Sequence, residues 1–101
     1  MSKFADQLVS GHDISFELDF QRDEESGWFA VHVVELPGCV SQGATIQEAT
    51  ANIANALESY MEVLFESAIR NQVGREASLV VESAPGESAK LLVRPRFEVR
   101  A

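Results

Sequence analysis

Five acidic residues cluster between positions 17 and 25, Glu17, Asp19, Asp23, Glu24 and Glu25, and Glu35 follows on the next apolar segment. Converging carboxylates are what two-metal hydrolysis requires, with ions ~3.5–4 Å apart held between them. Here Glu17 and Asp19 alternate outward in a strand pattern, and Asp23 to Glu25 fall in a polar turn, so solvated surface charge is the favoured reading. Cys39 follows Pro37-Gly38. A thiol nucleophile needs a base and an orienting group beside it. His32 stands seven residues earlier and His12 sits in a loosely patterned N-terminal segment, so Cys39 reads as a buried structural thiol. His32 lacks the Cys/His cluster that zinc requires and reads as a strand-face or interface residue. No catalytic residue, metal or cofactor is expected, and the chain reads as a protein that binds rather than an enzyme.

The elements that position these residues are distinct. Ile14, Phe16, Leu18 and Phe20 alternate with Ser15, Glu17 and Asp19, the period-two signature of a half-buried strand. A charged turn, Gln21 to Gly27, leads to a second strand over Trp28 to Glu35, making a hairpin. Phe29, Val31 and Val33 point to one side; Trp28, Ala30, His32 and Val34 point to the other. With both faces apolar, this strand is central or its second face meets a partner. Leu36-Pro37-Gly38-Cys39 turns the chain, and Val40 to Gln42 is a short third strand ended by Gly43.

Thr45 with Glu48 is a capping box that opens a long helix. Its apolar stripe is read as Ile46, Ala49, Ile53, Ala56, Leu57, Tyr60, Leu64 and Ala68, with Tyr60 and Phe65 in the core. The pattern fades after Arg70, and Gly74 is a plausible stop. Leu79 to Glu82 is strand-like, Ser83 to Ser88 is a turn cluster, and Leu91–Arg94 and Phe97–Val99 are extended with Pro95 between them. Proline there argues for an edge position or a bulge. The expected fold is α+β: a small antiparallel sheet with one long helix and a closing C-terminal strand or hairpin over residues 78–101. The whole of 1–101 reads as one domain, with 1–12 as a helical turn or a flexible arm.

Composition sets further limits. At 101 residues, 46% hydrophobic and 24% charged, the chain is an ordinary globular domain. No apolar run approaches the ~20 residues a membrane helix needs, no signal peptide is legible, and a single cysteine suits a reducing compartment; a cytoplasmic location is expected. The net charge of −8 speaks against direct nucleic-acid binding. Residues 1–69 hold twelve acids against two bases, whereas residues 70–101 hold six bases against four acids. The acidic body suits a basic protein partner.

The run from Gly27 through Trp28, Leu36-Pro37-Gly38-Cys39, Ser41, Gly43 and Thr45-Ile46-Gln47-Glu48-Ala49, with Asn52 and Ala56 beyond, resembles the HicB-like antitoxin family over residues 14–65. Val34-Glu35 stands where many members have Pro-Asp. The resemblance implies a reduced RNase H-like domain, homo-oligomers (dimer or tetramer), and a small basic RNA-cleaving toxin partner of the HicA type. Full-length members usually add a helix-turn-helix or ribbon-helix-helix; residues 70–101 are too short and too β-like for the first and show no helix after a strand for the second, so operator binding is not expected. The leading expectation is an antitoxin-type interaction module. Its partner contacts would be Glu17, Asp19, Asp23, Glu24, Glu25, Trp28 and His32, and its oligomer contacts Trp28, Val34, Arg94 and Arg96. The alternatives are an orphan homo-oligomeric scaffold without a toxin partner and a residual metal-dependent nuclease.

Overall fold

A computed structural model describes residues 3–69, 75–83 and 89–99. Strand β1 (Ile14–Arg22) pairs antiparallel with β2 (Phe29–Val33), and β2 with the short β3 (Val40–Gly43). On its other side β1 pairs with β5 (Lys90–Val99), which carries β4 (Arg75–Ser83) at the far edge. The order is β3-β2-β1-β5-β4, antiparallel throughout. Helix α2 (Ile46–Ile69) lies across one face and bears on β3, β2 and β4. The Cα atoms span 54 × 27 × 17 Å, the thin dimension being one sheet plus one helix.

The expected hairpin, helix and C-terminal hairpin are therefore present, with three differences of detail. The second strand is shorter than the Trp28–Glu35 expected, because the chain leaves the ladder after Val33. There Leu36 N–H bonds Val33 O at 3.1 Å, Cys39 N–H bonds Leu36 O at 3.0 Å, and Gly38 takes a φ of +97° that a side chain would resist. The N-terminal segment is the helical turn rather than an arm: α1 (Lys3–Val9) buries Leu8 completely and sets Phe4 against Phe16 with ring centroids 5.2 Å apart. The last strand runs unbroken through Pro95. Leu18 N–H bonds Ala89 O, which aims the odd-numbered amides of β5 at β1. Since β1 ends opposite Val93, the missing amide of Pro95 faces a place where no neighbour strand runs, so proline costs the ladder nothing. The proposed stop at Gly74 and turn residues Ala84 to Ser88 lie outside the described residues.

The core forms between α2 and the sheet. Phe16, Val31, Val33, Leu91 and Val93 point up from the strands, and Ala49, Ile53, Leu57, Met61 and Phe65 point down from the helix. Each large side chain so buried stabilises by roughly 1.5–3 kcal/mol. Two members of the expected stripe fall elsewhere: Tyr60 is 45% exposed and Ile46 is 40% exposed, while Met61 takes the place given to Tyr60. A spacing of four residues advances the buried line about 40° around the helix at each step. That drift follows a sheet whose strands twist beneath it.

The tightest point is the joint between β3 and α2. A Cβ on Gly43 would lie 2.4 Å from the backbone nitrogen of Ala49 and 2.8 Å from its Cα. Both atoms belong to the helix backbone and cannot swing aside. Thr45 Oγ1 accepts the Glu48 N–H at 3.0 Å, capping the helix where it leaves this contact. Two substitutions test this packing. Gly43→Ala should lower stability by about 2 kcal/mol or more in urea unfolding, and Met61→Ala by about 2–5 kcal/mol, whereas Tyr60→Ala should stay within about 0.5–1 kcal/mol of the parent. Equal losses at positions 60 and 61 would refute the assigned helix face.

Candidate functional site

Residues opposite one another in an antiparallel pair share a face. On the side of the sheet away from α2, register therefore aligns Glu17 with Val34, Asp19 with His32, Gln21 with Ala30, and Asp23 with Trp28. The first and last of these pairs are fixed by Val34 N–H to Glu17 O at 2.9 Å and Asp23 N–H to Trp28 O at 2.8 Å. An acidic line along β1 thus runs beside a largely apolar line along β2. Three acids in one file span about 20 Å from Glu17 to Asp23 at ~3.4 Å per residue. Trp28 and Val34 are 43% and 48% exposed, and Val40, opposite His32 on β3, is 62% exposed. Val40 is a residue that sequence reasoning missed, although its place two residues before Gln42 on an edge strand marks it as outward.

The turn that ends the file is held rigidly. Asp23 Oδ2 accepts from Ser26 Oγ at 2.7 Å and from Ser26 N–H at 3.3 Å, and Ser26 Oγ accepts from Trp28 N–H at 3.2 Å. These bonds, led by the Ser26 hydroxyl, hold the Asp23 carboxyl below its ordinary pKa of 3.8. Glu24 and Glu25 stand exposed in the same turn. Asp19 Oδ2 lies 3.7 Å from His32 Nδ1, both about half exposed; this is an ion pair when the imidazole is protonated and too long for a hydrogen bond.

Other candidates separate from this surface. Glu35 turns back to accept Glu17 N–H with both carboxylate oxygens, at 3.0 and 3.2 Å. It completes the ladder at the point where the backbone of β2 departs. Cys39 is buried and desolvation pushes its thiol up, away from the thiolate a nucleophile needs. Its neighbour Val40 faces outward beside His32, so Cys39 and His32 occupy opposite faces. Among the described residues, no three His, Cys, Asp or Glu side chains could share a metal ion. Arg94 bonds Asp13 at 3.2 Å and Glu82 at 3.1 Å, partners within its own chain. Arg96 is exposed two residues further along β5, and Arg100 lies outside the described residues.

Asn52 has its own structural task. Its Nδ2 donates to Gln42 O at 2.8 Å, a carbonyl on the outer edge of β3. Thus Gly38, Gly43, Thr45, Glu48, Ala49 and Asn52 all serve the turn and the strand-to-helix joint. The model of the HicB-like antitoxin of bacterial toxin–antitoxin systems matches residues 16–85. This chain belongs to the HicB-like antitoxin family. Among curated relatives, it is 46% identical over 41 residues to the UPF0150 protein Ta0767 of Thermoplasma acidophilum, covering 41% of this chain and 59% of that one. A UPF0150 protein of Archaeoglobus fulgidus is 34% identical over 50 residues, covering 50% and 71%. No solved structure matches the chain significantly. No helix among the described residues is long and apolar enough to cross a membrane.

The turn makes a direct prediction. In a carbon-detected NMR titration the Asp23 carboxyl should have its midpoint below 3.8, and Ser26→Ala should raise it towards that value. Because the folded pKa is the lower one, this contribution to hairpin stability is present above pH 3.8 and fades as pH falls through the depressed midpoint. An unchanged midpoint in Ser26→Ala would show that the serine does not hold the carboxylate.

Proposed function

We propose that this chain neutralises a small basic RNA-cleaving toxin of the HicA type by covering its RNA-binding surface. The reading is carried by one observation: in a member of an antitoxin family, the hairpin presents Glu17, Asp19 and Asp23 in one file beside exposed Trp28 and Val34. Glu24 and Glu25 extend the negative charge at the tip. Carboxylates in such a file attract the Lys and Arg that a toxin uses to hold phosphates, and speed the encounter. Trp28 supplies a large, semi-rigid apolar contact of the kind that anchors protein interfaces. His32, beside Asp19, and Val40 would lie within the same footprint. Inhibition of this kind is steric and electrostatic and requires no bond to be made or broken. Its setting would be the cytoplasm, where the toxin meets RNA, and the chain would act as a homo-oligomer.

The test is RNA cleavage by a purified HicA-type toxin. A stoichiometric amount of the chain should abolish cleavage, and association should slow as salt rises. Glu17→Lys with Asp19→Lys should reduce the association rate by about tenfold or more while leaving the fold intact, since both side chains are exposed. Cleavage that persists at a clear excess of folded chain would overturn the reading.

A further inference from the structure

The two edges of the sheet are finished differently. At β3 the edge is four residues long, and the outward Gln42 carbonyl is occupied by Asn52. At β4 the edge is nine residues long, and Ser78 to Ser83 holds neither proline nor lysine. Register fixes which of its backbone groups are exposed. With the odd-numbered residues of β5 turned to β1, its even-numbered residues bond β4, through Arg94 to Val80 and Leu92 to Glu82. The amides and carbonyls of Leu79, Val81 and Ser83 therefore point away from the sheet. Such a row is a template for another strand.

We propose that this edge pairs antiparallel with β4 of a second copy of the chain, with Val80 on the two-fold axis, joining two five-stranded sheets into one. The proposal rests on the homo-oligomer part of the reading above and names its interface. The occupant follows from self-complementarity. In this register Leu79 meets Val81 of the second copy on the helix side, and Val80 meets its own equivalent on the outer side. Ser78 comes opposite Glu82 of the second copy. The strand neighbour of Ser78 on its inner side is Arg96, exposed, so each Glu82 is brought within reach of a guanidinium across the junction. No like charges oppose each other between Ser78 and Glu82. Beside this edge, Ile46, Thr50, Ala51, Ala54, Val81 and Leu91 line an open groove of about 450 Å³, and Leu79 of the second copy would stand at its mouth next to Val81.

Sedimentation of the full chain, with far-UV circular dichroism as the fold control, decides the matter. The parent should sediment as two copies, and the amides of Leu79 and Val81 should be protected from exchange. Val81→Pro removes an outward amide without breaking a β4–β5 ladder bond, although it also trims a side chain packed at the margin of the core. Where circular dichroism shows it folded, the sedimenting mass should fall by about half. Val80→Lys and Val80→Glu, which set like charges on the axis, should each be monomeric and should form a heterodimer when mixed; this pair decides the question if Val81→Pro does not fold. A monomeric parent at tens of micromolar would overturn the proposal, as would a folded Val81→Pro that still dimerises, or a mixture of the charge variants that stays monomeric. So would protection of Leu79 and Val81 that arises only when a toxin is added, which would assign the edge to that partner. Toxin neutralisation is measured separately, so either reading can fail without the other.

Discussion

The contact between Gly43 and the first turn of α2 is the constraint on which the remaining structure depends. A 2.4 Å approach between a notional Cβ and the Ala49 nitrogen leaves room for hydrogen alone at position 43. That closeness lets the helix leave β3 immediately and fall back over the sheet. From it follow the position of the Thr45 cap, the reach of Asn52 to Gln42, and the line of Ile53, Leu57, Met61 and Phe65 into the core. A methyl group here would not remove one contact; it would displace the whole helix, and interiors packed near crystal density do not absorb such shifts locally.

Because α2 covers a single face, the sheet has two surfaces with different chemistry. The covered one is built from Phe16, Val31, Val33, Leu91 and Val93 and contains no buried polar or charged side chain among the described residues. The open one carries the carboxylates of β1 beside Trp28, Val34 and Val40. The family spacing is spent on the first surface. Glu48 offers its amide to the cap, Ala49 its small size, and Asn52 its amide to an edge carbonyl. Those residues of the family run thus hold the strand-to-helix joint together, while Glu17, Asp19 and Asp23 on the open surface lie apart from it.

Much of this was legible in the sequence where a single local rule governs a residue. The alternation of Ile14, Phe16 and Leu18, the Thr45 cap and the proline corner are of that kind, and each is found in place. What was not legible depends on neighbours distant in the chain. Tyr60 and Met61 are adjacent, and only the twist of the strands beneath decides which of them is covered. Glu35 looks like one more surface acid until β2 is seen to depart and leave the Glu17 amide without its strand partner. Pro95 looks like an interruption until the end of β1 opposite Val93 removes the neighbour it would have offended. At the candidate site the acids could be listed beforehand. Their arrangement in one file with Trp28 at its end required the register.

The amide of Asn52 has an effect beyond the strand it touches. By holding the Gln42 carbonyl it takes one outward acceptor of the short β3 margin away from any incoming strand, whereas the longer β4 margin keeps its outward groups. Under the proposed β4 pairing only two short β3 edges would remain, and short edge strands are poor templates for further addition.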